Sequence, residues 1–326
     1  MKAQILAMLR ERTDYVSGQE LCEHFGVSRT AVWKAINQLK KEGYRIEAVQ
    51  NKGYLLETEA EVFGQNELES RMTTQWAGKP VHFFETIDST NVRAKLAAEE
   101  GAPHGTLIVA DRQTAGRGRR GRCWISPAGA NAYFTLLLKP ELSPDRAPML
   151  TLVMAMAVAK GIGDTVGKTP DIKWPNDIVA EGRKICGILT EMSVERDYIH
   201  YIVIGVGVNV GKQDFAPEIA HVASSLEEIC GRKVPRATLV ANIMKAFETY
   251  YDRFLQHCDL TALMEEYNSL LVNCGRQVRV LDPGGEFTAL AKGINARGEL
   301  LVTLEDGSEK EIFAGEVSVR GIYGYT

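Results

Sequence analysis

The densest chemical signal in the sequence is an arginine- and glycine-rich segment between Asp111 and Trp124. It holds five arginines and three glycines, and Asp111 is its single acidic residue. Guanidinium groups and glycine backbone N–H groups together bind phosphate-bearing anions. The segment therefore predicts an anion site, with a solvated basic loop as the alternative. The residues concerned are Arg112, Arg117, Arg119, Arg120, Arg122, Gly116, Gly118 and Gly121.

The three glycines fit the GxGxxG pattern of dinucleotide-binding loops, but the surrounding sequence argues against that function. The pattern needs a strand before it and a helix after it. Here Trp124 leads through a Gly-Ala-Asn turn into another predicted strand. A Walker phosphate loop is also excluded, because no Gly-Lys-Ser/Thr follows. A dinucleotide oxidoreductase is therefore rejected.

Composition limits the remaining classes. The formal net charge of −4 gives no general attraction to nucleic acid or to an anionic membrane, so any polyanion site must be local. The six cysteines have neither CxxC nor metal-ligand spacing, and the charged N-terminus does not resemble a secretory signal. The longest apolar run, Leu152 to Ala159, is too short to span a bilayer. We expect a cytoplasmic protein with reduced thiols and no membrane partner.

The first sixty residues have the pattern of a small helical module. Apolar residues recur at helical spacing from Ile5 to Leu39, and glycines divide the run into three short helices. Ser28 is the expected N-cap of the third helix. The run YRIEAVQ-NKG-YLLE then predicts two strands around a turn at residues 51–53. Together these elements predict a winged helix-turn-helix.

The third helix has the composition of a recognition helix. Val32, Ile36 and Leu39 recur at i, i+4 and i+7 and should face the core. The outward set mixes cations with amides, which suits phosphate and base-edge contacts in a major groove. A protein-binding module is one alternative for the helices, and packing of the Trp33 side chain on the wing is a separate alternative to its contact with DNA. The predicted DNA-contacting residues are Ser28, Arg29, Thr30, Trp33, Lys34, Asn37 and Gln38.

Beyond a polar, acidic stretch from Glu57 to Gln65, strands and helices alternate. The predicted strands are 81–87, 105–113, 131–140, 184–192 and 198–209, and the predicted helices are 90–100, 149–162 and 238–271. Short β-like runs after Gly275 (QVRVL, EFTALAKGI, ELLVTLE, EKEIFAGEVSV) suggest a small barrel. We therefore expect domains at 1–62, 63–272 and 273–326.

Four further motifs accompany GRGRRGRxW along the chain: DSTN (88–91), KWPND (173–177), GRKICGILTE (182–191) and IGVGVN (204–209). In this order they resemble the biotin–protein ligase family, and with both flanking modules the resemblance covers nearly the whole chain. It is similar to the bifunctional branch, whose members also repress transcription. The resemblance implies an α+β multidomain fold: a winged helix-turn-helix, a class II synthetase-like α/β domain with a mixed sheet, and an SH3-like small β-barrel.

The resemblance implies a two-step reaction. The carboxylate of biotin attacks the α-phosphate of ATP, giving biotinyl-5′-AMP and pyrophosphate, and a lysine amine of a biotin carrier protein then displaces AMP. Both first-step reactants are anionic, so cations must offset their repulsion. The implied catalytic residues are Lys184, Arg119, Arg122 and Asp177. Mg²⁺ is expected on the ATP phosphates, with no metal held by protein ligands.

Two ligand sets follow from the resemblance. The implied biotin-binding residues are Ser89, Thr90, Asn91, Gln113, Gly116, Arg117, Gly118, Arg119, Lys184, Gly187 and Gly205. The implied ATP- and adenylate-binding residues are Arg119, Arg122, Trp124, Lys173, Asn176, Lys184 and Asn209. Four of the implied catalytic and ligand-binding residues have simpler alternatives: helix capping for Ser89 and Thr90, an Asx turn for Asp177, and core packing for Trp124.

Two rival functions and one regulatory expectation remain. A pure regulator that senses biotin without catalysis is disfavoured by the intact Arg119, Arg122 and Lys184. A lipoate ligase, a related architecture, is a poorer match to the arginine-rich segment and the appended winged helix. We also expect operator DNA as a partner and a homodimer promoted by biotinyl-5′-AMP, which would order the arginine-rich loop.

Overall fold

The computed structural model describes residues 1–57, 62–282, 285–313 and 318–321. The chain forms two compact units, Met1–Thr73 and Thr74–Thr326.

The first unit contains the helices and the hairpin that the sequence predicts. Its elements are α1 (Lys2–Arg10), α2 (Gly18–Phe25), α3 (Arg29–Lys41), β1 (Ile46–Val49), β2 (Gly53–Leu56) and α4 (Gln65–Arg71). Ser28 caps α3, since its side chain accepts a hydrogen bond from the N–H of Ala31. Val32, Ile36 and Leu39 are buried in the core as predicted. At Gly53 (φ +123°) a Cβ would lie 2.1 Å from the carbonyl oxygen of Val16, so this hairpin position requires glycine.

Helix α4 is absent from the sequence prediction, because it buries the charged Glu67 beside Leu68 and has no periodic run of apolar residues. Glu67 is only 3% exposed and accepts hydrogen bonds from the Arg10 guanidinium at 3.0 and 2.9 Å. Arg71, one turn further along the helix, also donates to Glu67, at 2.5 Å. A buried carboxylate needs such partners. Hydrophobic periodicity cannot reveal a helix that is held in this way.

A seven-stranded mixed sheet forms the centre of the second unit. Its strand order is β3-β4-β5-β9-β8-β7-β6, with β3 and β4 parallel and the other neighbours antiparallel. The five longer strands agree with the predicted ones, whereas β6 and β7 are too short for a sequence signal. The ranges are β3 (Val81–Ile87), β4 (Leu107–Gln113), β5 (Ala132–Leu138), β6 (Asp171–Lys173), β7 (Asp177–Ala180), β8 (Arg183–Glu195) and β9 (Tyr198–Val208).

Five helices accompany this sheet: α5 (Thr90–Glu99), α6 (Met149–Val166), α7 (Leu226–Cys230), α8 (Arg236–Leu255) and α9 (Met264–Leu270). The prediction of a single helical segment over 238–271 is wrong. The backbone of Cys258 has a φ of +52°, and Asp259 accepts a hydrogen bond from the N–H of Thr261, so a turn separates α8 from α9.

Helix α6 is apolar and buried along most of its length. The stretch Pro144–Val166 is long and apolar enough to cross a membrane by length and composition, but 67% of its most apolar window is buried inside the protein. It packs against α8 at Gly161, where a Cβ would lie 2.6 Å from the Ile243 side chain. These contacts are those of a core helix.

The last part of the second unit is a five-stranded antiparallel sheet in the order β13-β12-β11-β10-β14. The predicted short β runs are confirmed where the structure describes them, while residues 314–317 of the last run and the end of the predicted third domain lie outside the described residues. The strands are β10 (Gln277–Asp282), β11 (Gly285–Ile294), β12 (Leu300–Thr303), β13 (Glu309–Ile312) and β14 (Ser318–Gly321).

Candidate active site

The floor of the candidate site is a row of glycines on one face of the large sheet. In the β5–β9–β8 register Gly205 lies between Thr135 and Leu189, and Gly207 lies between Tyr133 and Gly187. Residues two apart on a strand share a face, so Gly205 and Gly207 point to the same side of the sheet. This patch of sheet presents backbone instead of side chains, which lets other groups approach closely.

The side chain of Asn91 covers Gly205. A Cβ on Gly205 would lie 2.1 Å from Asn91 Oδ1, so glycine is needed there. The amide Nδ2 of Asn91 donates to Glu191 Oε2 at 2.8 Å and to the carbonyl oxygen of Leu189 at 3.3 Å. Its Oδ1 accepts from the Thr135 hydroxyl at 2.7 Å. The Asn91 amide is thus buried and fixed in one orientation.

Thr90 belongs to the same polar cluster. Its backbone N–H donates to Gln113 Oε1 at 2.9 Å, and its hydroxyl lies 3.1 Å from the same oxygen. Gln113 Nε2 donates to Ser126 Oγ at 3.0 Å. Ser89 precedes α5 but makes no side-chain capping hydrogen bond. Helix capping therefore does not account for these two hydroxyl residues.

The arginine-rich segment folds back on itself as a loop. The N–H of Gly118 donates to the carbonyl of Arg122 at 2.8 Å, and the N–H of Trp124 donates to the carbonyl of Gly116 at 2.9 Å. A single 3₁₀ turn, Arg119–Gly121, forms its tip, and the chain then continues to β5 rather than to a helix. The rejection of a dinucleotide-binding loop is thereby confirmed.

Arg119 and Lys184 approach the residues of the KWPND motif, which forms the turn from β6 into β7. Arg119 Nη1 donates to Asn176 Oδ1 at 2.9 Å, and Lys184 Nζ donates to Asp177 Oδ1 at 2.5 Å. Burial lowers the pKa of Arg119, and the nearby Asp177 carboxylate partly offsets that effect. Two cations and one carboxylate thus meet beside the glycine floor. Asp177 does more than close a turn.

The indole ring of Trp124 lies over Gly207 and Gly187 of the glycine floor. A Cβ on Gly207 would lie 2.6 Å from the indole Nε1, and the Lys184 ammonium is 5.4 Å from the ring centroid. The indole N–H is buried and has no hydrogen-bond partner within the part of the chain that the structure describes. A buried donor without a partner is costly, so this indole N–H calls for an explanation.

The remaining predicted residues are distributed around this centre. Arg117 and Arg122 are exposed on the loop, while Lys173 is only 4% exposed on β6. Asn209 is buried, and its Nδ2 donates to the carbonyl oxygen of Ser224 at 3.1 Å. A Cβ on Gly187 would lie 3.2 Å from Lys184 Nζ. The loop, the KWPND turn and the β8 hairpin therefore converge as the motif order predicts.

Three polar residues of the cluster carry no role in the sequence prediction: Ser126, Thr135 and Glu191. Glu191 stands in the GILTE run, so its motif offered a signal. Burial alone would raise the pKa of Glu191, but hydrogen bonds from Lys95 and Asn91 leave it below its ordinary value. Thr135 sits in the apolar strand AYFTLLL, and nothing in that pattern distinguishes it.

In the first unit the outward face of α3 matches the predicted recognition surface. Trp33 is 59% exposed, so it does not pack on the hairpin. Arg29 Nη2 donates to Gln19 Oε1 at 3.0 Å, which links the start of α3 to α2. A shallow surface depression is lined by Trp33, Lys34, Asn37, Gln38, Lys40 and Lys41.

Three family profiles match successive parts of the chain: an HTH domain at residues 2–55, the Biotin/lipoate A/B protein ligase family at 83–209, and the Biotin protein ligase C terminal domain at 274–320. The Bifunctional ligase/repressor BirA of Bacillus subtilis is 38% identical over 308 residues, which cover 94% of each chain. The protein of the same name from Escherichia coli is 30% identical over 315 residues, covering 97% of this chain and 96% of that one.

The fold also resembles a solved structure. The biotin protein ligase from Aquifex aeolicus in complex with biotin and ATP superposes with a TM-score of 0.65 at 30% identity, covering 74% of this chain and 99% of that one. Sequence and domain order thus agree over nearly the full length, and the fold agrees over 74% of this chain. The chain belongs to the biotin–protein ligase family, in its bifunctional ligase/repressor branch.

Proposed function

We propose that this protein is an ATP-dependent biotin–protein ligase that forms biotinyl-5′-AMP and transfers biotin to a lysine of a biotin carrier protein. The observation that carries the proposal is the meeting of Arg119, Lys184 and Asp177 beside the glycine floor. Its first unit also makes the protein a DNA-binding repressor of biotin genes. Both activities are those named for its bifunctional relatives.

The cations offset the charge repulsion that opposes the first step. Biotin carboxylate and ATP repel each other, and charge spreads over the phosphoryl oxygens as the new bond forms. Lys184 offers a point charge with three N–H donors, so its contact with Asp177 leaves donors for the carboxylate. Arg119 is held by Asn176 at the same place, and Arg122 supplies a further cation from the loop.

The polar cluster over the floor suits the ureido ring of biotin, which needs both donors and acceptors in a slot that is otherwise apolar. Thr90, Asn91 and Gln113 supply such groups, and their partners fix their orientation. The proposed biotin set is completed by Ser89, Gly116, Arg117, Gly118, Gly187 and Gly205.

The nucleotide side is assigned to Trp124, Lys173, Asn176 and Asn209, with the unpaired indole N–H as a donor for the ligand. Among the described residues no three His, Cys, Asp or Glu side chains gather to hold a metal ion. Mg²⁺ therefore fits as an ion that arrives with the ATP phosphates, beside the Asp177 carboxylate. When bound, it would neutralise charge on the departing pyrophosphate.

A lipoate ligase is the second candidate, because one matching family profile covers both biotin and lipoate enzymes. The experiment that separates them is exchange of labelled pyrophosphate into ATP, with biotin or lipoate as the acid. It isolates the first half-reaction without an acceptor protein. Exchange that depends on biotin alone supports the proposal, and exchange with lipoate would move the assignment to the related enzyme.

The finer architecture belongs to the proposal as well. We infer that the hairpin β1–β2 is the wing of a winged helix-turn-helix, and that the last five strands form an SH3-like barrel. The catalytic part resembles a class II synthetase, with domains at 1–62, 63–272 and 273–326. A cytoplasmic location fits the acceptor, a biotin carrier domain of a carboxylase.

DNA binding by the outward face of α3 gives a direct prediction. Full-length protein with biotin and ATP should enrich one sequence from a random double-stranded library. The double variant Lys34→Ala/Asn37→Ala should bind that sequence at least about thirtyfold more weakly, since each of the two lost base-edge contacts costs about 1–3 kcal/mol. Lys245→Ala, which removes the same charge from an exposed position on α8, is the control. Equal binding by the double variant and the control would refute this recognition surface.

We further propose that biotinyl-5′-AMP promotes a homodimer by ordering the arginine-rich loop. One winged helix makes few contacts, and paired half-sites give repressors of this type their affinity. We expect the adenylate to raise the association constant about tenfold or more, the scale of typical allosteric coupling. Sedimentation velocity with and without the adenylate measures this. An unchanged association constant would contradict the proposal.

A further inference from the structure

Thr135 is a buried hydroxyl residue in an apolar strand. It is 0% exposed, and its neighbours in β5 are tyrosine, phenylalanine and leucines. Its cross-strand partner is Gly205, the glycine that Asn91 covers. Thr135 Oγ1 lies 2.7 Å from Asn91 Oδ1 and 2.8 Å from Thr90 Oγ1. A hydroxyl at this position therefore meets two residues of the proposed biotin site at once.

The chemistry of the neighbours fixes the direction of these hydrogen bonds. The Asn91 nitrogen faces two acceptors, Glu191 Oε2 and the Leu189 carbonyl, so the amide oxygen must face Thr135. An amide oxygen only accepts, and the single hydroxyl hydrogen of Thr135 therefore belongs to Asn91. The Thr135 oxygen is then an acceptor for the hydroxyl of Thr90, at 2.8 Å.

Further hydrogen bonds extend from both partners of Thr135. On one side Asn91 reaches Glu191, which is paired with Lys95 at 2.6 Å. On the other side Thr90 contacts Gln113, which donates to Ser126. Ser126 in turn donates to the carbonyl of Trp124 at 2.9 Å, at the end of the arginine-rich loop. One continuous chain of hydrogen bonds thus links α5, the sheet and the loop, and Thr135 is its central member.

We propose that Thr135 is a positioning residue for biotin. It holds the amide of Asn91 and the hydroxyl of Thr90 in the orientations that meet the ligand, and this role rests on the proposed ligase function. Without its hydroxyl, Asn91 Oδ1 keeps no side-chain donor among the described contacts. The amide would then rotate away from the floor. The chain meets the nucleotide side at the backbone carbonyl of Trp124, whereas the side chains of Arg119, Asn176 and Lys184 make their contacts outside it.

The test compares Thr135→Val, which keeps the shape of the side chain, with Thr135→Ser, which keeps the hydroxyl. The full-length variants are titrated with biotin by calorimetry and assayed for biotin- and ATP-dependent pyrophosphate exchange. We expect Thr135→Val to raise the Kd and KM for biotin about ten- to a hundredfold, the effect of leaving one buried acceptor without a donor. The KM for ATP should change less than about threefold, and Thr135→Ser should restore biotin binding.

Thr106→Val is the matched control. Thr106 is equally buried, and its hydroxyl donates to the carbonyl of Pro103 at 2.7 Å, outside the polar cluster. The biotin affinity of the Thr106→Val protein should equal that of the wild type. If Thr135→Val does not fold by circular dichroism, Thr135→Ala removes the hydroxyl without placing a second methyl against Asn91.

The role of Thr135 would be overturned by unchanged biotin affinity in the variants that lack the hydroxyl, by failure of Thr135→Ser to restore binding, or by an equal loss in Thr106→Val. A parallel rise of the KM values for biotin and ATP would also contradict it, since general disruption of the sheet has that signature. Absence of biotin binding in the wild type is a different outcome, which overturns the proposed function and this role together.

Discussion

Replacing Lys184 by alanine is expected to lower biotin-dependent pyrophosphate exchange by about 10²–10³-fold, the usual effect of removing one preorganised group from a charged transition state. The ammonium lies 2.5 Å from Asp177 and is positioned over the ring of Trp124. Its loss leaves biotin carboxylate and ATP phosphates to repel each other, and it leaves Asp177 with one cation fewer. The rate of exchange at saturating biotin and ATP measures the effect.

The fold of this variant should survive, because the Lys184 side chain is partly exposed. Lys168→Ala is the matched control, since Lys168 is an exposed lysine that pairs with Glu181 next to the same hairpin. We expect wild-type exchange in that control. Full activity in Lys184→Ala would remove Lys184 from the chemistry, and an unfolded far-ultraviolet spectrum would assign it a structural role instead.

Gly205→Ala is expected to weaken biotin binding by about a hundredfold. The added Cβ would lie 2.1 Å from Asn91 Oδ1, a distance that no real contact allows. Asn91 cannot yield cheaply, because Thr135, Leu189 and Glu191 all hold its amide. The free energy of unfolding should fall by only about 1–3 kcal/mol, the usual cost of overpacking. Calorimetric titration with biotin and urea unfolding measure the two effects.

Gly64→Ala provides the comparison for this substitution. No atom of the described residues lies within 4 Å of the position of its Cβ, and its backbone is extended. Biotin affinity should be unchanged in that protein. Biotin affinity in Gly205→Ala equal to the wild type would mean that Asn91 can move without consequence, and that it does not belong to the biotin site.

The sequence predicts the site as far as motifs and local spacing extend. The arginine-rich loop, the KWPND turn and the glycines of IGVGVN each have a composition that indicates their role, and the structure brings them together. The three helices and the hairpin of the first unit were predictable for a similar reason. Each has apolar residues at a regular period and a turn residue at each boundary.

The parts that escaped prediction are held by polar groups distant in sequence. Thr135 is bonded to Asn91, which lies 44 residues away, and Glu191 is bonded to the same residue, 100 positions earlier in the chain. Helix α4 is fixed by the buried Glu67 and its arginines, so its pattern resembles a solvated linker. A buried polar side chain is stable only with its partner, and a single sequence does not name that partner.

The proposed first half-reaction can be tested most directly by exchange of labelled pyrophosphate into ATP, with Mg²⁺ and the full-length protein. The account predicts exchange that requires biotin, is absent with lipoate or without an acid, and is lost in Lys184→Ala but retained in Lys168→Ala. Biotin binding without any exchange would contradict the ligase assignment and leave a biotin-sensing repressor. Exchange that also proceeds with lipoate would contradict the assigned substrate.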